Sequence, residues 1–283
     1  MLKKLLKWIP ASLATILLLT SVTGCTTTTT ITDWETSTVT ATDTIEPAPG
    51  PATLQFIAAS SLSKVLDELN RVYVESKPWI TILPNITGGS GVLEGQIKEG
   101  MEGDLFLSAA MANMDNLQSA SLIVDSSRKT LLNNNLVLIT RKDNTLNISN
   151  HNDLTSSSIG IIAIADPGLA PVGVYAMDAL EQWGVLNDIK ANFSYQANTT
   201  QVLQAVKNGA ADVGIVYMTD TLDEDSIRVV EQAPAEVNAK IKYPVAILRS
   251  STNQAAVQDY IDFLFSAEAA VIFEKYGFAI AAQ

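Results

Sequence analysis

The sequence predicts an α/β fold with two lobes, each built on a mostly parallel sheet flanked by helices. From residue 53 to the end, short apolar runs typical of buried strands alternate with apolar residues at helical spacing. This part holds about 230 residues, which suits two lobes of this type. Hydrophobic residues make up 47% of the 283 residues, so the chain can bury a sizeable core and global disorder is excluded.

The charge and the residue counts exclude several classes of function. Thirty acidic residues against 18 basic ones give a net charge of −12, which argues against a nucleic-acid partner. The chain has one cysteine and one histidine. A disulfide framework, a zinc site of Cys and His ligands, and Cys-His catalysis are therefore excluded by count.

Residues 1–24 are predicted to be a lipoprotein signal peptide. A basic segment with three lysines precedes the uncharged apolar run 8–23. Pro10 interrupts this run and its end is polar, so a signal peptide is favoured over a membrane-spanning helix of about 20 residues. The run ends in Val22-Thr23-Gly24-Cys25, which resembles the bacterial lipobox, and Cys25 is the only cysteine. We expect Cys25 to be lipidated and to become the N-terminus.

Residues 25–52 are predicted to form a disordered tether that begins with the lipidated cysteine. Eleven threonines lie between Thr26 and Thr44, and Glu46-Pro47-Ala48-Pro49-Gly50-Pro51 follows. Such a composition offers little apolar surface to bury. We expect this segment to hold the globular part near a membrane surface.

The first predicted unit of the globular part is a strand, a turn and a helix. Thr53 to Ala59 is an apolar run of strand length, and apolar residues from Leu62 to Tyr73 recur at helical spacing. Ser60-Ser61 form the turn between them. The same arguments predict strands at 80–86 and 104–108, with the turn Gly88–Gly91 and a short helix at 92–97 after the first of them.

Glycine and proline mark the ends of the later elements. Asp166-Pro167-Gly168 separates a strand at 159–165 from a helix at 174–183, which Gly184 ends. Asn208-Gly209 ends a helix at 200–207. The other predicted elements are strands at 136–141, 212–217, 228–231 and 243–248 and helices at 254–265 and 267–276.

Four predicted turns open a helix: Ser60-Ser61, Gly88–Gly91, Pro171-Val172-Gly173 and Asn198-Thr199. A helix start carries unpaired N–H groups and the positive end of the helix dipole, so it favours an anion without any cationic side chain. The alternative is that Ser60, Ser61, Ser90 and Thr199 only cap their helices. The residues themselves leave both interpretations open.

Several motifs of this part of the chain, in their order and spacing, resemble the periplasmic molybdate-binding proteins of ABC importers. The motifs are Ala58-Ala59-Ser60-Ser61-Leu62, Gly89-Ser90-Gly91 with Gln96-Ile97, Gly103-Asp104-Leu105-Phe106-Leu107-Ser108-Ala109, Asp166-Pro167 with Pro171-Val172-Gly173-Val174-Tyr175-Ala176, Gly214-Ile215-Val216-Tyr217 with Asp220, Tyr243-Pro244-Val245-Ala246, and Phe273 with Tyr276-Gly277-Phe278. The resemblance implies a type II periplasmic-binding-protein fold, whose lobes close over a tetrahedral oxyanion in the interlobe cleft. Lobe 1 would comprise residues 53–133 and 244–283, and lobe 2 residues 134–243.

The resemblance also implies a set of ligand-binding residues. In that family neutral donors alone hold the dianion, so molybdenum is bound as an oxyanion without direct metal ligands, and no cofactor is expected. By position the donors would be the Ser61 and Ser90 hydroxyls, the main-chain N–H groups of Val172 and Thr199, and the Tyr217 hydroxyl, with Ser60 as a neighbour able to share the role of Ser61. The family often has a run of serines at Gly89-Ser90-Gly91 and a valine at the position of Thr199.

The resemblance implies an extracytoplasmic solute-binding protein, not an enzyme, that captures molybdate and also tungstate. Its partners would be a membrane permease and the permease's ATPase, and we expect a monomer anchored to the membrane through lipid at Cys25. A sulfate or other oxyanion binder and a surface sensor or interaction module of the same fold are the alternatives. An enzyme is disfavoured: Ser61-Leu62-Ser63-Lys64 matches the Ser-x-x-Lys of penicillin-recognising enzymes, but neither Ser-Asp-Asn nor Lys-Thr-Gly follows.

Overall fold

The computed structural model describes residues 31–32, 38–39 and 50–282. The predicted signal peptide and Cys25 lie outside the described residues. Within the predicted tether, Ile31–Thr32 pairs antiparallel with Thr38–Val39. These four residues are extended where no regular structure is predicted, and β-branched side chains such as Ile, Thr and Val favour that backbone.

Strands and helices alternate through residues 50–282. The strands are β1 (Ala52–Leu54), β2 (Phe56–Ala59), β3 (Ile80–Ile82), β4 (Ile86–Gly88), β5 (Leu105–Leu107), β6 (Lys129–Asn133), β7 (Leu136–Arg141), β8 (Ile162–Ala165), β9 (Phe193–Gln196), β10 (Val213–Tyr217), β11 (Ile227–Gln232), β12 (Lys242–Ile247) and β13 (Ala279–Ile280). The helices are α1 (Ser63–Ser76), α2 (Ser90–Lys98), α3 (Met111–Ser119), α4 (Pro171–Gln182), α5 (Leu186–Ile189), α6 (Thr199–Lys207), α7 (Ala235–Asn238), α8 (Gln254–Leu264) and α9 (Ala267–Lys275). Among the described residues, no helix combines the length and the apolar character needed to span a membrane.

One sheet, here called sheet one, has the strand order β13-β6-β12-β5-β2-β4. Its side chains alternate between two faces, as the pleat of a strand requires. Phe56 and Leu105 face a core that includes α1 and α8, where the rings of Phe56 and Tyr260 lie 4.4 Å apart. Ile57 and Phe106 face a second core that includes α2 and α3. Sheet one is therefore covered by helices on both faces.

The other large sheet, sheet two, has the order β9-β8-β10-β7-β11. Its strands β8 and β10 are fully buried, and α4 and α6 pack against them. Helix α4 begins at Pro171, three residues before the predicted start, and proline is favoured at the first position of a helix because its ring fixes a helical φ. The two sheets with their helices form the two lobes that the sequence predicts.

Both sheets are mixed rather than mostly parallel, and here the prediction is wrong. In sheet one β2 runs parallel to β4 and β5, but β12 runs antiparallel to β5 and β6. In sheet two β8 runs parallel to β9 and β10, but β7 runs antiparallel to β10 and β11. The antiparallel strands β7 and β12 are those that enter a lobe directly from the other one. Neither follows a helical crossover from a strand of its own sheet, which is the connection that makes neighbouring strands parallel.

Two predicted strands are each divided. The run 53–59 forms β1 and β2, and the run 80–86 forms β3 and β4, with β1 pairing β3 in a separate two-stranded sheet. The break in the first run is at Gln55, whose main-chain N–H donates to Asp104 Oδ2 (2.7 Å) and whose side chain donates to the Pro84 carbonyl (2.8 Å). Pro84 has no N–H to continue a ladder, which accounts for the break in the second run.

The carboxyl ends of β2, β4, β8, β9 and β10 face the crevice between the lobes. Each of the first four is followed within a few residues by a helix start. In open α/β sheets ligands bind outside the carboxyl ends of the strands, where several helix starts converge. The topology therefore brings all four predicted turns to one place.

Candidate functional site

A small cavity lies between the two lobes at these strand ends. Its lining residues are Ala59, Ser60, Ser61, Gly88, Gly89, Ser90, Ala109, Ala170, Pro171, Val172, Asn198, Thr199 and Tyr217. All six predicted ligand-binding residues are among them. The cavity volume is about 10 Å³, far below the roughly 300–1,000 Å³ of pockets for organic ligands. Sugars, amino acids and nucleotides are therefore too large, and the cavity suits a species of a few atoms.

Lobe 1 contributes two serine hydroxyls to this cavity. Ser61 lies in a short 3-10 turn that follows β2, and its Oγ is 3.0 Å from Tyr243 Oη. Ser90 is the first residue of α2 and is buried. The Ser90 oxygen accepts a hydrogen bond from the Ala109 N–H (3.0 Å), which leaves the hydroxyl proton of Ser90 for another acceptor.

The structure does not use Ser60, Ser61, Ser90 or Thr199 as a helix cap, which was the alternative role for these residues. The helix α2 has Gly89 at its N-cap, and the turn Ser60–Leu62 has Ala59, neither with a side-chain cap. Helix α6 is capped by Asn198, whose Oδ1 accepts from the Gln201 N–H (3.0 Å). The Thr199 hydroxyl instead donates to Asp220 Oδ2 (2.6 Å). The serine and threonine side chains are therefore not needed to start the helices.

Lobe 2 contributes two main-chain donors. Val172 and Thr199 are each 2% exposed and lie in the first turns of α4 and α6. Neither N–H group donates to any residue that the structure describes. The first N–H groups of a helix have no partner within the helix, and they carry the positive end of its dipole. These two groups can therefore donate to an anion in the cavity.

Tyr217 supplies a further donor from the end of β10. The residue is 1% exposed, and its hydroxyl is the one buried side-chain polar atom of the described part of the chain that has no hydrogen-bond partner. Burial raises the pKa of Tyr217, and the nearby phenol of Tyr243 adds to the effect, so the hydroxyl stays protonated and can donate. A buried polar group without a partner costs about 1–3 kcal/mol, and this hydroxyl is available to donate to a ligand in the cavity.

The cavity has no charged residue in its lining. The carboxylate of Asp220 lies behind two lining residues: it accepts from the Thr199 hydroxyl and, at 3.2 Å, from the Tyr217 N–H. Burial raises the pKa of Asp220 to about 6, against the lowering effect of these two hydrogen bonds. Neutral donors therefore surround the cavity, and one partly protonated acid holds two of the donor residues in place.

The two lobes touch directly beside the cavity. The Leu169 carbonyl of lobe 2 accepts hydrogen bonds from the Gly91 N–H (3.1 Å) and the Val92 N–H (3.2 Å) at the start of α2 in lobe 1. In addition, Lys64 Nζ of lobe 1 lies 3.4 Å from Glu224 Oε1 of lobe 2. The structure is therefore a closed arrangement of the two lobes.

The family of the chain follows from a comparison with known protein families. The family model for bacterial extracellular solute-binding proteins matches residues 54–279, which include both lobes. The chain belongs to this family. As a member it is an extracytoplasmic solute-binding protein and not an enzyme, so the expectations of a binding protein and of no cofactor are confirmed.

Individual relatives agree with this assignment. The solute-binding protein is 32% identical over 226 residues to YvgL of Bacillus subtilis, whose name describes an ABC transporter substrate-binding lipoprotein. The matched residues cover 80% of this chain and 86% of YvgL. It is 31% identical to the molybdate-binding protein ModA of Escherichia coli, covering 79% and 87% of the two chains. The solved structure of the periplasmic molybdate-binding protein of Azotobacter vinelandii matches with a TM-score of 0.71 at 21% identity, covering 81% of this chain and all of that one. This match confirms the periplasmic-binding fold.

The contacts of Ser61 and Lys64 agree with a binding protein. In a Ser-x-x-Lys enzyme the serine must be activated by the lysine or a partner base. Here the described partner of Ser61 Oγ is Tyr243 Oη, and Lys64 Nζ faces Glu224 instead. Glu224 lies in the acidic turn 223–225 and also pairs with Lys207. Among the residues that the structure describes, the serine therefore has no base beside it.

Several residues of the site carry no predicted role. Asp220 and Tyr243 stand in motifs that resemble the family, but their contacts with Thr199 and Ser61 join residues far apart in the chain. Leu169 contributes only its main-chain carbonyl. Every residue has such a group, so the residue type gives no sign of this role. Asn134 donates a hydrogen bond to Tyr243, although the two residues are 109 positions apart in the sequence. The available local clue is that Asp220 follows three residues after a tyrosine at a strand end.

Proposed function

We propose that this solute-binding protein captures molybdate, and also tungstate, and delivers it to an ABC permease driven by a cytoplasmic ATPase. The observation that carries the proposal is the small uncharged cavity lined by hydroxyl and N–H donors, with the buried Tyr217 hydroxyl unpaired. The names of the E. coli and A. vinelandii relatives support molybdate as the ligand. A site without a carboxylate acceptor cannot satisfy the proton of hydrogen phosphate, so it favours a fully deprotonated oxyanion.

Isothermal titration with molybdate, tungstate, sulfate and phosphate at neutral pH tests this function. The protein from Pro49 onward, which forms one compact unit, is suitable. One-to-one binding of molybdate and tungstate, without sulfate or phosphate, is the expected result. Binding of sulfate in their place would keep the site and change the ligand, and no binding of any of the four would favour a sensor or interaction module.

The Ser61 and Ser90 hydroxyls are proposed ligand donors, and each serine-to-alanine change is expected to weaken molybdate binding. A hydrogen bond to a charged group contributes about 1.5–3 kcal/mol, so the loss is about 10- to 150-fold. Ser90→Ala also removes the acceptor of the buried Ala109 N–H, and Ser61→Ala removes the hydrogen-bond partner of the buried Tyr243 hydroxyl, so both changes are expected to lower the free energy of unfolding. Ser76→Ala, at the opposite end of α1, is the control and keeps wild-type affinity. Wild-type affinity in both site variants would contradict the assignment.

The carboxyl group of Asp220 is expected to make binding depend on pH. With a pKa of about 6 it is mostly ionised above that pH, when it repels a dianion, and mostly neutral below it. A bound dianion raises this pKa further, so binding takes up protons and the affinity rises as the pH falls. If the rise is about one unit, the affinity at pH 6 is roughly fivefold that at pH 8, a range in which molybdate stays a dianion.

Asp220→Asn tests this linkage because the amide oxygen can still accept from Thr199 and Tyr217. Titrations of the variant at both pH values are expected to give equal affinities. Lys64 and Glu224 are the other charged groups that act on Asp220, so Glu224→Gln serves as the control and keeps most of the pH dependence. An unchanged pH dependence in Asp220→Asn would assign the effect to another group.

The remaining residues of the proposed site are Val172 and Thr199, through their N–H groups, Tyr217, and Ser60 as the neighbour of Ser61. The proposed lobes are residues 53–133 with 244–283, and residues 134–243. Sheet membership supports a division near these points, since β6 ends at Asn133 in sheet one and β7 begins at Leu136 in sheet two. Where the chain returns to lobe 1, β12 of sheet one begins at Lys242, two residues before the proposed boundary at residue 244. A monomer is part of the proposal.

Lipidation of Cys25 is proposed to anchor the protein to the membrane. The lipobox-like Val22-Thr23-Gly24-Cys25 supports this, as does the name of the YvgL relative, which describes a lipoprotein. Cys25→Ser is expected to move the protein from the membrane fraction to the soluble fraction, measured by fractionation of cells that express the full chain. Thr26→Ser, which leaves the cysteine in place, is the control. A Cys25→Ser protein that stays with the membrane would refute the anchor.

A further inference from the structure

We infer that Asn134 and Tyr243 are positioning residues that fix the Ser61 hydroxyl as a hydrogen-bond donor to the bound oxyanion. The three side chains form a chain of hydrogen bonds from the first crossover between the lobes to the cavity. Tyr243 Oη lies 3.1 Å from Asn134 Nδ2 and 3.0 Å from Ser61 Oγ. The inference rests on the proposed function, since it needs an anion in the cavity.

The contacts of Asn134 fix which way its amide group points. Its Oδ1 is 2.8 Å from the Asn135 main-chain N–H, which can only donate, so this atom must be the oxygen. The Asn134 Nδ2 group then carries two protons, one for Thr219 Oγ1 (2.9 Å) and one for Tyr243 Oη (3.1 Å). All described contacts of this buried amide are satisfied in that orientation and in no other.

The orientation of Asn134 decides the direction of the next hydrogen bond. Because the amide nitrogen can only donate, Tyr243 Oη accepts from it and keeps its own single proton. Among the described residues, the acceptor within hydrogen-bond distance of this buried proton is Ser61 Oγ, so we assign Tyr243 as the donor to Ser61. Burial raises the pKa of the Tyr243 phenol well above its usual range, which keeps that proton in place.

Ser61 thus receives a hydrogen bond and retains its own proton. Since Ser61 lines the cavity, the free direction for that proton is toward the ligand. Without Tyr243 the hydroxyl can rotate and present a lone pair to the anion, which repels it. Hydrogen bonds in a chain also polarise one another, which makes the last donor stronger.

The hydrogen bonds that join Asn134, Tyr243 and Ser61 also connect the two lobes. Asn134 lies in the crossover between β6 and β7, Thr219 follows β10 of lobe 2, and Tyr243 lies on β12 where the chain has returned to lobe 1. The two connections between the lobes therefore meet at the residues that orient Ser61. If the lobes open and Asn134 moves, the Ser61 hydroxyl would therefore also become free to rotate.

A double-mutant cycle measured by isothermal titration of the full-length protein with molybdate tests the inference. Tyr243→Phe removes the hydroxyl but keeps the buried ring. We expect it to weaken binding about fivefold in the wild-type background, as for the loss of one neutral hydrogen bond. In the Ser61→Ala background it is expected to have no further effect, because Tyr243 acts only through Ser61. Tyr260→Phe, which removes another buried hydroxyl of lobe 1, is the control and leaves binding unchanged.

Each result decides between a positioning and a merely structural role. Equal losses from Tyr243→Phe in both backgrounds, or no loss in either, would overturn the inference while Ser61→Ala still supports the proposed function. A wild-type protein that binds none of the oxyanions would overturn both. Thermal unfolding checks that the variants fold, and if Tyr243→Phe does not, Asn134→Ala in the same two backgrounds provides the cycle with the same expected pattern.

Discussion

Gly89→Ala is expected to weaken molybdate binding at least about a hundredfold while both lobes stay folded. A Cβ atom at this position would lie 2.5 Å from the Leu169 carbonyl oxygen, 3.0 Å from the Ala197 carbonyl oxygen and 3.1 Å from Ala170 Cβ. All three atoms belong to lobe 2 and none can move aside as a flexible side chain would. The methyl group therefore prevents the lobes from meeting, and the donors of Val172, Thr199 and Tyr217 stay too far from an anion held by lobe 1.

The conformation of Gly89 separates this effect from misfolding. Its φ of −65° and ψ of 132° are accessible to alanine, so the substitution causes no backbone strain within lobe 1. Titration with molybdate and small-angle scattering measure the two consequences. The wild-type protein is expected to become more compact when the ligand is added, whereas Gly89→Ala keeps the same radius of gyration with and without it.

Gly95→Ala is the matched control because it adds the same methyl group to the same helix. A Cβ at Gly95 would meet nothing within 4 Å. Affinity and compaction are expected to be those of the wild type, with a small gain in stability because alanine favours a helix more than glycine does. Wild-type affinity and compaction in Gly89→Ala would show that the contact between Leu169 and the start of α2 is not needed for binding.

The glycine argument shows how far the sequence alone could reach in this site. Gly89 and Gly91 are recognisable as positions where a backbone comes close, because they stand next to Ser90 at a helix start. What approaches them is the carbonyl of Leu169, a main-chain atom 80 positions away from Gly89, for which no local pattern exists. The loops that open helices after strands were therefore predictable as the candidate site, and the contacts between these loops were not.

The sheets show the same limit at the level of the fold. Apolar runs predicted most strands of both lobes, since a buried strand needs them whichever way its neighbours run. The direction of β7 and β12 depends on where the chain crosses from one lobe to the other, which is a property of the whole topology. Helix α3 was not predicted because only Met114 and Leu117 among its residues are buried, which leaves little periodicity to detect.

The hydrogen bonds behind the cavity were beyond the reach of the sequence for a related reason. Asp220 is a short acidic residue in a polar loop, and a solvent-exposed side chain is the ordinary interpretation of that pattern. The structure half-buries it against Thr199 and the Tyr217 main chain. A raised pKa follows from that burial and not from the residue type.

Tyr217→Phe is expected to weaken molybdate binding about 10- to 150-fold and, at the same time, to stabilise the protein without ligand by about 1 kcal/mol. The loss of affinity follows from removing one hydrogen bond to a charged ligand. The gain in stability follows from the buried Tyr217 hydroxyl, which has no partner among the described residues. Phenylalanine keeps the ring and its contact with Tyr243 at 5.8 Å between centroids, and it removes only the unpaired polar atom.

Opposite signs in the two measurements distinguish a ligand donor from a structural residue. Urea unfolding gives the stability and isothermal titration gives the affinity. Tyr260→Phe is the control with the reverse pattern, because the Tyr260 hydroxyl donates to Asn70 Oδ1 (2.5 Å) far from the cavity. It is expected to lower the free energy of unfolding by about 1 kcal/mol and to leave the affinity unchanged. If Tyr217→Phe instead lowers stability with wild-type affinity, its hydroxyl supports the fold, and the oxyanion must be held by the serines and the two helix starts alone.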